Sequence, residues 1–383
     1  MIKNFKLNFN TFWGNKIILG EIVNSIKKLK KNKVLIIYDE NLLNNSYYLR
    51  NVLKKVKNSF KTFLFAFNFK FEPTYDYLDE TKNNFKKFKP EIILAIGGGS
   101  CIDYAKGIAL LIKNKKKSIN YRGFPCDLKK PIPLIACPST TGTGTEIAFN
   151  AVFIDTKTNS KLGINYIENY PIMSFMDTEL CKKTPNQVLI NSTIGALGRS
   201  LETFSTIKSN VFTLGYSIEC FNLILENLPK VLINKNNIKA WENLQIASFY
   251  SMVALSNSSS GPAGPVSYYL STNYNVPQAL GYGISSFLVA KYNFKKGYTK
   301  YAELIDKNFK YKNKKTKSKE VILKIEKLFH NLDIKKEIKK FDLENKNFDF
   351  NFFLKKTRQA FKMNPVKLNN DDIRNILEMV KRF

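Results

Sequence analysis

Along the first half of the chain, short apolar runs alternate with stretches of helical spacing. Lys33-Val-Leu-Ile-Ile-Tyr-Asp39 is a continuous apolar run, the pattern of a strand buried on both faces. Pro90-Glu-Ile-Ile-Leu-Ala-Ile96 and Ile132-Pro-Leu-Ile-Ala-Cys137 repeat it. Tyr75–Lys89 and Ser100–Lys113 space their apolar residues as helices do, and Ser100 reads as the N-cap of the second. This alternation predicts an α/β domain built on a doubly wound parallel sheet. Ala151–Asp155 and Lys161–Ile164 read as a hairpin around a turn at Lys157–Ser160. After about residue 182 strand-like runs become scarce. Val211–Leu228, Ala240–Ala254, Ser318–Leu332 and Asp371–Val380 carry helical spacing instead. The pattern therefore predicts two domains, an α/β domain over 1–182 and an all-helical one over 183–383.

Composition narrows the function classes. A hydrophobic share of 44% with 24% charged residues is an ordinary globular balance. No apolar run nears the roughly 20 residues of a membrane span, and Met1–Asn8 has no apolar core of a secretory signal. The five cysteines form no CxxC pair, which suggests reduced thiols and a cytoplasmic protein. The net charge of +30 comes from 55 lysines and only six arginines. The lysine runs at 27–33, 113–117 and 310–319 are scattered, as an AT-rich coding bias leaves them, and no nucleic-acid module gathers them. A solvated basic surface is expected, with no nucleic-acid or membrane partner. The single histidine, His330, lies in a helical pattern and reads as structural, so most histidine-based catalysis is excluded.

The chemistry concentrates in two loops. Gly97-Gly-Gly-Ser100 lies between a buried strand and a helix start. Glycines there let the backbone approach a ligand and adopt positive φ, and the free N–H groups of the helix start favour an anion such as a pyrophosphate. A tight strand–helix turn with no ligand is the alternative. Ser139–Thr145, rich in Gly and Thr, follows the next strand at the same sheet edge, and the pair of loops favours the phosphate reading. Asp39 ends the first strand, where an acidic side chain suits a ribose 2′-hydroxyl and favours NAD over NADP.

These residues resemble the iron-containing alcohol dehydrogenases. That family's GGGS-xx-D-x-AK motif is matched by Gly97–Ser100, Asp103, Ala105 and Lys106, and its P-T-T-x-G-T-G-[ST]-E motif by Pro138–Glu146. Ala151–Asp155, Lys161, Asn364-Pro365 and Asp372–Leu377 continue the likeness over nearly the whole chain. Asn227–Pro229, Ser256–Ser260 and Ser267–Pro277 are most similar to the phosphonoacetaldehyde reductase (hydroxyethylphosphonate dehydrogenase) branch. The resemblance implies the dehydroquinate synthase-like architecture, a homodimer or larger assembly, and a dinucleotide held by Asp39, Gly97, Gly98, Gly99, Ser100, Asp103, Ser139, Thr140 and Thr143. It also implies that Lys161 lies near the nicotinamide and substrate, with a solvated surface lysine as the alternative.

The departures concern the metal. The family's ligands are an Asp, then a His four residues on in D-A-L-x-H-x-x-E, then two His fourteen apart. Those positions hold Gly195, Arg199, Gly264 and Gln278 here, which implies a site without catalytic metal. A further family histidine is Tyr268. Arg199 is then the candidate to hold the carbonyl oxygen or an acidic substituent of the substrate; the alternative is an ion pair with Glu202. Tyr268 is the candidate proton donor or else a core aromatic, and Gln278 a candidate substrate contact. The expectation is a metal-independent, NAD(P)H-linked reductase of a small anionic aldehyde or keto acid, such as phosphonoacetaldehyde going to 2-hydroxyethylphosphonate. The resemblance includes metal-free relatives, the maleylacetate reductases. The competing expectation is a nucleotide-binding member without alcohol dehydrogenase activity.

Overall fold

The computed structural model describes residues 5–68, 72–305 and 313–383, so positions 310–312 of the lysine-rich run lie outside the described residues. The chain divides into two compact units, one of residues 7–186 and 234–245, the other of 1–6, 187–233 and 246–383.

The first unit runs β1 (Thr11–Gly14), α1 (Ile17–Lys28), β2 (Lys33–Asp39), α2 (Glu40–Asn45), α3 (Tyr47–Ser59), β3 (Lys61–Phe67), α4 (Tyr75–Thr81), β4 (Ile92–Gly97), α5 (Gly99–Lys113), β5 (Leu134–Pro138), β6 (Asn150–Asp155), β7 (Ser160–Asn165), β8 (Met173–Asp177) and α6 (Thr178–Cys181). Six strands form one parallel sheet in the order β1-β8-β5-β4-β2-β3, and β6 pairs with β7 as the expected antiparallel hairpin. The unbroken apolar runs follow from burial on both faces. Val34, Ile36, Ile92, Leu94 and Ile96 pack with Ile18, Ile22 and Val52, whereas Leu35, Ile37, Ile93 and Ala95 pack with Tyr104, Ile108 and Phe153. From β2 the chain first winds outward to β3 and then back to β4 and β5 on the other side. The carboxyl ends of β2 and β4 therefore flank a reversal of strand order, where ligands of such sheets bind.

Helical spacing at Tyr75–Lys89 overreached: α4 stops at Thr81 and a 3₁₀ turn, Lys82–Phe85, buries Phe85. The second unit is helical. It comprises α7 (Asn186–Ser205), α8 (Val211–Ile233), the latter half of α9 (Ile238–Ser256), α10 (Ala263–Tyr274), α11 (Gln278–Lys295), α12 (Lys314–Asn331), α13 (Ile334–Lys339), α14 (Phe350–Phe361) and α15 (Asn370–Lys381). Its core includes Leu197, Leu201, Phe204, Phe221, Ile284, Phe287, Ile325 and Ile376. His330 lies on an exposed face of α12. Among the described residues no helix is long and apolar enough to cross a membrane.

Helices α7 and α11 meet through glycines. A Cβ at Gly195 would stand 2.9 Å from the Ala279 Cβ and 3.1 Å from its carbonyl oxygen, and one at Gly283 would stand 2.7 Å from the Ile194 carbonyl oxygen. Backbones this close leave no space for an inward side chain. We expect Gly195→Asp to destabilise the protein by roughly 1–3 kcal/mol through overpacking, read as a lower urea midpoint with unchanged slope.

Candidate functional site

In the α/β unit, β4 ends at Gly97 and α5 begins at Gly99. The N-cap is Gly98 rather than the expected Ser100, and no side chain caps the helix. Ser100 falls inside the first turn. A glycine cap leaves the first N–H groups of a fifteen-residue helix to be satisfied by something else, as an anion site requires. Positive φ, expected for these glycines, is not what they supply; in this region it occurs at Gly144, with φ 64°. Gly97 and Gly99 are needed for space. A Cβ on Gly97 would come 2.8 Å from the Cys101 Cβ and 3.1 Å from that of Asp39, and one on Gly99 would come 2.5 Å from the Thr143 Cγ2. The two loops are also joined directly, since the Ser139 N–H donates to the Gly97 carbonyl at 2.9 Å. Thr140 lies against Gly98, and its hydroxyl is buried with no hydrogen-bond partner among the described residues. Asp39 caps α2 by accepting the Leu42 N–H at 3.1 Å through one carboxylate oxygen.

Asp103 and Lys106, one turn further along α5, are engaged inside the protein. Asp103 accepts the Thr145 hydroxyl in a short bond and the Val152 N–H at 3.0 Å. The Lys106 ammonium, fully buried, donates to the Thr145 carbonyl and hydroxyl at 2.6 Å each and to the Asn150 carbonyl at 3.0 Å, with Asp103 3.7 Å away. Together they fix the second glycine loop to the hairpin. Burial pushes the Lys106 amine down to about 8, with Asp103 and Glu146 opposing, and pushes the Asp103 carboxyl up. Lys161 sits on β7 with its side chain buried and ion-paired with Glu72. Burial favours its neutral form, and the Glu72 carboxylate opposes that.

In the helical unit, Arg199 of α7 is half-buried and its Nε donates to the Ser251 hydroxyl of α9 at 3.3 Å. Glu202 lies one turn on. The Glu202 carboxylate accepts the Ala263 N–H at 2.6 Å and the Tyr282 hydroxyl in a short bond. Gly261 is closely fitted there, because a Cβ would stand 2.9 Å from the Glu202 Oε1. Tyr282 is buried and interacts electrostatically with Glu202, Arg199 and Tyr268, so these residues form one polar cluster. Tyr268 is half-buried on α10, and Gln278 opens α11.

The four positions where the resembled family carries metal ligands do not suit iron or zinc. Gly195 and Gly264 offer no side-chain donor, Arg199 is a cation, and the space at Gly195 is taken by the Ala279 backbone. Among the described residues no three His, Cys, Asp or Glu come together as a metal site. Sequence reasoning missed Tyr282, which had only an apolar helical context to mark it, and the role of Lys106, although its motif was in view.

Residues 13–178 match the family described as iron-containing alcohol dehydrogenase, and residues 189–380 match its C-terminal counterpart, the Fe-containing alcohol dehydrogenase family. Among curated proteins, a sulfoacetaldehyde reductase of Bilophila wadsworthia is 24% identical over 75% of this chain and 74% of its own length. Among solved structures, a 1,3-propanediol oxidoreductase superposes with a TM-score of 0.88 at 21% identity, covering 99% of this chain and 100% of that one. A sulfoacetaldehyde reductase from Bifidobacterium kashiwanohense, solved in complex with NAD+, superposes with a TM-score of 0.86 at 18% identity, covering 100% of this chain and 99% of that one.

Proposed function

The chain belongs to the iron-containing alcohol dehydrogenase family, an enzyme family, and from that premise we propose that it is a metal-independent, NAD-linked reductase of small anionic aldehydes. The observation that carries the cofactor reading is the cradle at the carboxyl ends of β2 and β4. Gly97 is pressed against Asp39 and Gly99 against Thr143, the start of α5 has no side-chain cap, and the buried Thr140 hydroxyl lacks a partner among the described residues. The pyrophosphate would take the α5 N–H groups and Thr140, and Asp39 the ribose. Once bound, the dinucleotide supplies a hydride to an electrophilic carbonyl carbon.

Arg199 supplies the cation that such a carbonyl needs. Its guanidinium offers a fork of donors to the developing oxyanion or to the substrate's acidic group. Tyr268 is the proton donor within the same cluster. The donor set at Gly195, Arg199, Gly264 and Gln278 supports metal independence. Sulfoacetaldehyde, named for two of the similar proteins, and phosphonoacetaldehyde share a two-carbon aldehyde with a tetrahedral anionic group, so both are candidate substrates. The five free thiols fit a reducing, cytoplasmic setting.

We expect the purified protein, treated with a chelator, to oxidise NADH with sulfoacetaldehyde or phosphonoacetaldehyde at an undiminished rate. Activity that vanishes and returns only with iron or zinc would refute the mechanism. Tight NADH binding without turnover on any aldehyde would instead favour the nucleotide-binding reading without dehydrogenase activity. Gly99→Ala tests the cradle. Its new methyl must displace Thr143, and at roughly 1–3 kcal/mol for such overpacking NADH affinity should fall about tenfold or more in a fluorescence titration.

A further inference from the structure

Arg199 leaves α7 with its side chain half-buried, and its Nε–H donates to the Ser251 hydroxyl of α9 at 3.3 Å. Ser251 is 0% exposed, so its oxygen is closed to bulk water. Its own proton goes to the Ser248 carbonyl, one turn back along α9, at 2.7 Å. A serine hydroxyl carries one proton and two acceptor lone pairs. With the proton committed to the helix backbone, the Ser251 oxygen serves Arg199 only as an acceptor, and α9 itself fixes where that acceptor stands. The guanidinium is planar, so Nε and the two terminal nitrogens share one plane. Anchoring the Nε–H therefore restrains the plane in which the other donors lie. An arginine side chain is otherwise long and rich in rotamers, and ordering it costs entropy. A donor already in place when charge develops on the substrate needs no reorganisation at that moment.

We propose that Ser251 is a positioning residue of the reductase. By accepting the Arg199 Nε–H from a hydroxyl pinned to its own helix, it holds the guanidinium in the orientation that meets the substrate's carbonyl oxygen or acidic group. The proposal rests on the reductase reading and on the task given there to Arg199. Ser251 acts through Arg199 alone. Two consequences separate this role from that of a serine that merely fills a buried place. The effect of losing the hydroxyl falls on the same kinetic parameter, kcat or KM, that the loss of Arg199 alters. It also vanishes once Arg199 is gone. A bond of 3.3 Å is a long one for N–H···O, so losing it costs less activity than losing the guanidinium.

The test is a double-mutant cycle on the full chain, with Ser251→Ala, Arg199→Ala and both together, assayed with NADH and sulfoacetaldehyde. We expect Ser251→Ala to lower kcat/KM roughly tenfold through misplacement of the cation, in the parameter that Arg199→Ala alters, with NADH affinity held within about twofold. In the Arg199→Ala background, Ser251→Ala should change kcat/KM by less than about twofold. A second measurement needs neither turnover nor a folded variant. The chain has only six arginines, and Arg382 is largely exposed. In ¹⁵N-resolved NMR of the wild type, the Arg199 Nε–H should exchange with water about tenfold or more slowly than that of Arg382. Equal exchange rates would overturn the proposal. So would wild-type kinetics in Ser251→Ala where Arg199→Ala is impaired, or a Ser251→Ala loss that persists in full without Arg199. A matching loss of NADH affinity would do the same, because it marks a structural role. Failure of the underlying reading looks different: Arg199→Ala then has wild-type kinetics, or the wild type reduces no aldehyde, and the positioning role falls with it.

Discussion

Arg199→Ala should lower kcat/KM for an anionic aldehyde by roughly 10²–10³-fold, the size of effect seen when one oxyanion donor is removed. NADH affinity, which the proposed cradle in the α/β unit would set, should stay within twofold. The argument starts from the helix. Arg199 is half-buried on α7, and its Nε donates to the Ser251 hydroxyl. The Glu202 carboxylate, one turn on, accepts from Tyr282 and Ala263. A cation held in partly dry surroundings interacts several times more strongly than one in water. Arg199→Lys keeps the charge and loses the planar fork, so an intermediate loss is expected. A neutral aldehyde separates the two roles. If Arg199 polarises the carbonyl, propionaldehyde reduction falls in parallel. If it holds the acidic substituent, only the anionic substrate suffers, and through KM. A variant with wild-type kinetics on both would remove Arg199 from the mechanism.

The sequence made the centre of the sheet legible because β2, β4 and β5 are buried on both faces, so their apolar runs are unbroken. The edges were harder. β1 is four residues long with Trp13 exposed, and β3 keeps most of its residues only partly buried, so neither carries a clean period. The glycine loops were legible as motifs, but their physics was misassigned. Gly97 answers to the crowding of Cys101, one helical turn on, and of Asp39, and Gly99 to that of Thr143; Asp39 and Thr143 are distant in sequence, and no local rule about φ reveals them. The cap at Gly98 was missed for a related reason: serine is the better cap in an ordinary helix, whereas an uncapped start is what an anion uses. Tyr282 was invisible because a tyrosine among Leu280, Gly281 and Gly283 has no pattern of its own; its meaning comes from Glu202, eighty positions away.

Lys106→Met should destabilise the α/β unit by roughly 3–5 kcal/mol, the cost of stranding one member of a buried ion pair, and should weaken NADH binding as the loop at Thr145 loosens. Lys106 makes three hydrogen bonds with no exposure to water, and Asp103 holds the same threonine from the other side. Removing the amine leaves the Asp103 carboxylate buried without its cation. Removing both, in Lys106→Met with Asp103→Leu, should cost less than the sum of the single changes, because no charge is then left unpaired. The pH dependence has a definite sign. Burial holds the Lys106 amine at about 8, below the ordinary lysine value of 10.5. Between those values the unfolded chain binds more protons at this site than the folded one. The contribution of this group to stability therefore rises as pH increases from about 8 to 10.5, and the burial cost is felt in full below 8. The stability gap between wild type and Lys106→Met, from urea midpoints at matched ionic strength, should widen across that interval. A gap that narrows there would mean that the amine is not buried as its contacts with Thr145 and Asn150 require.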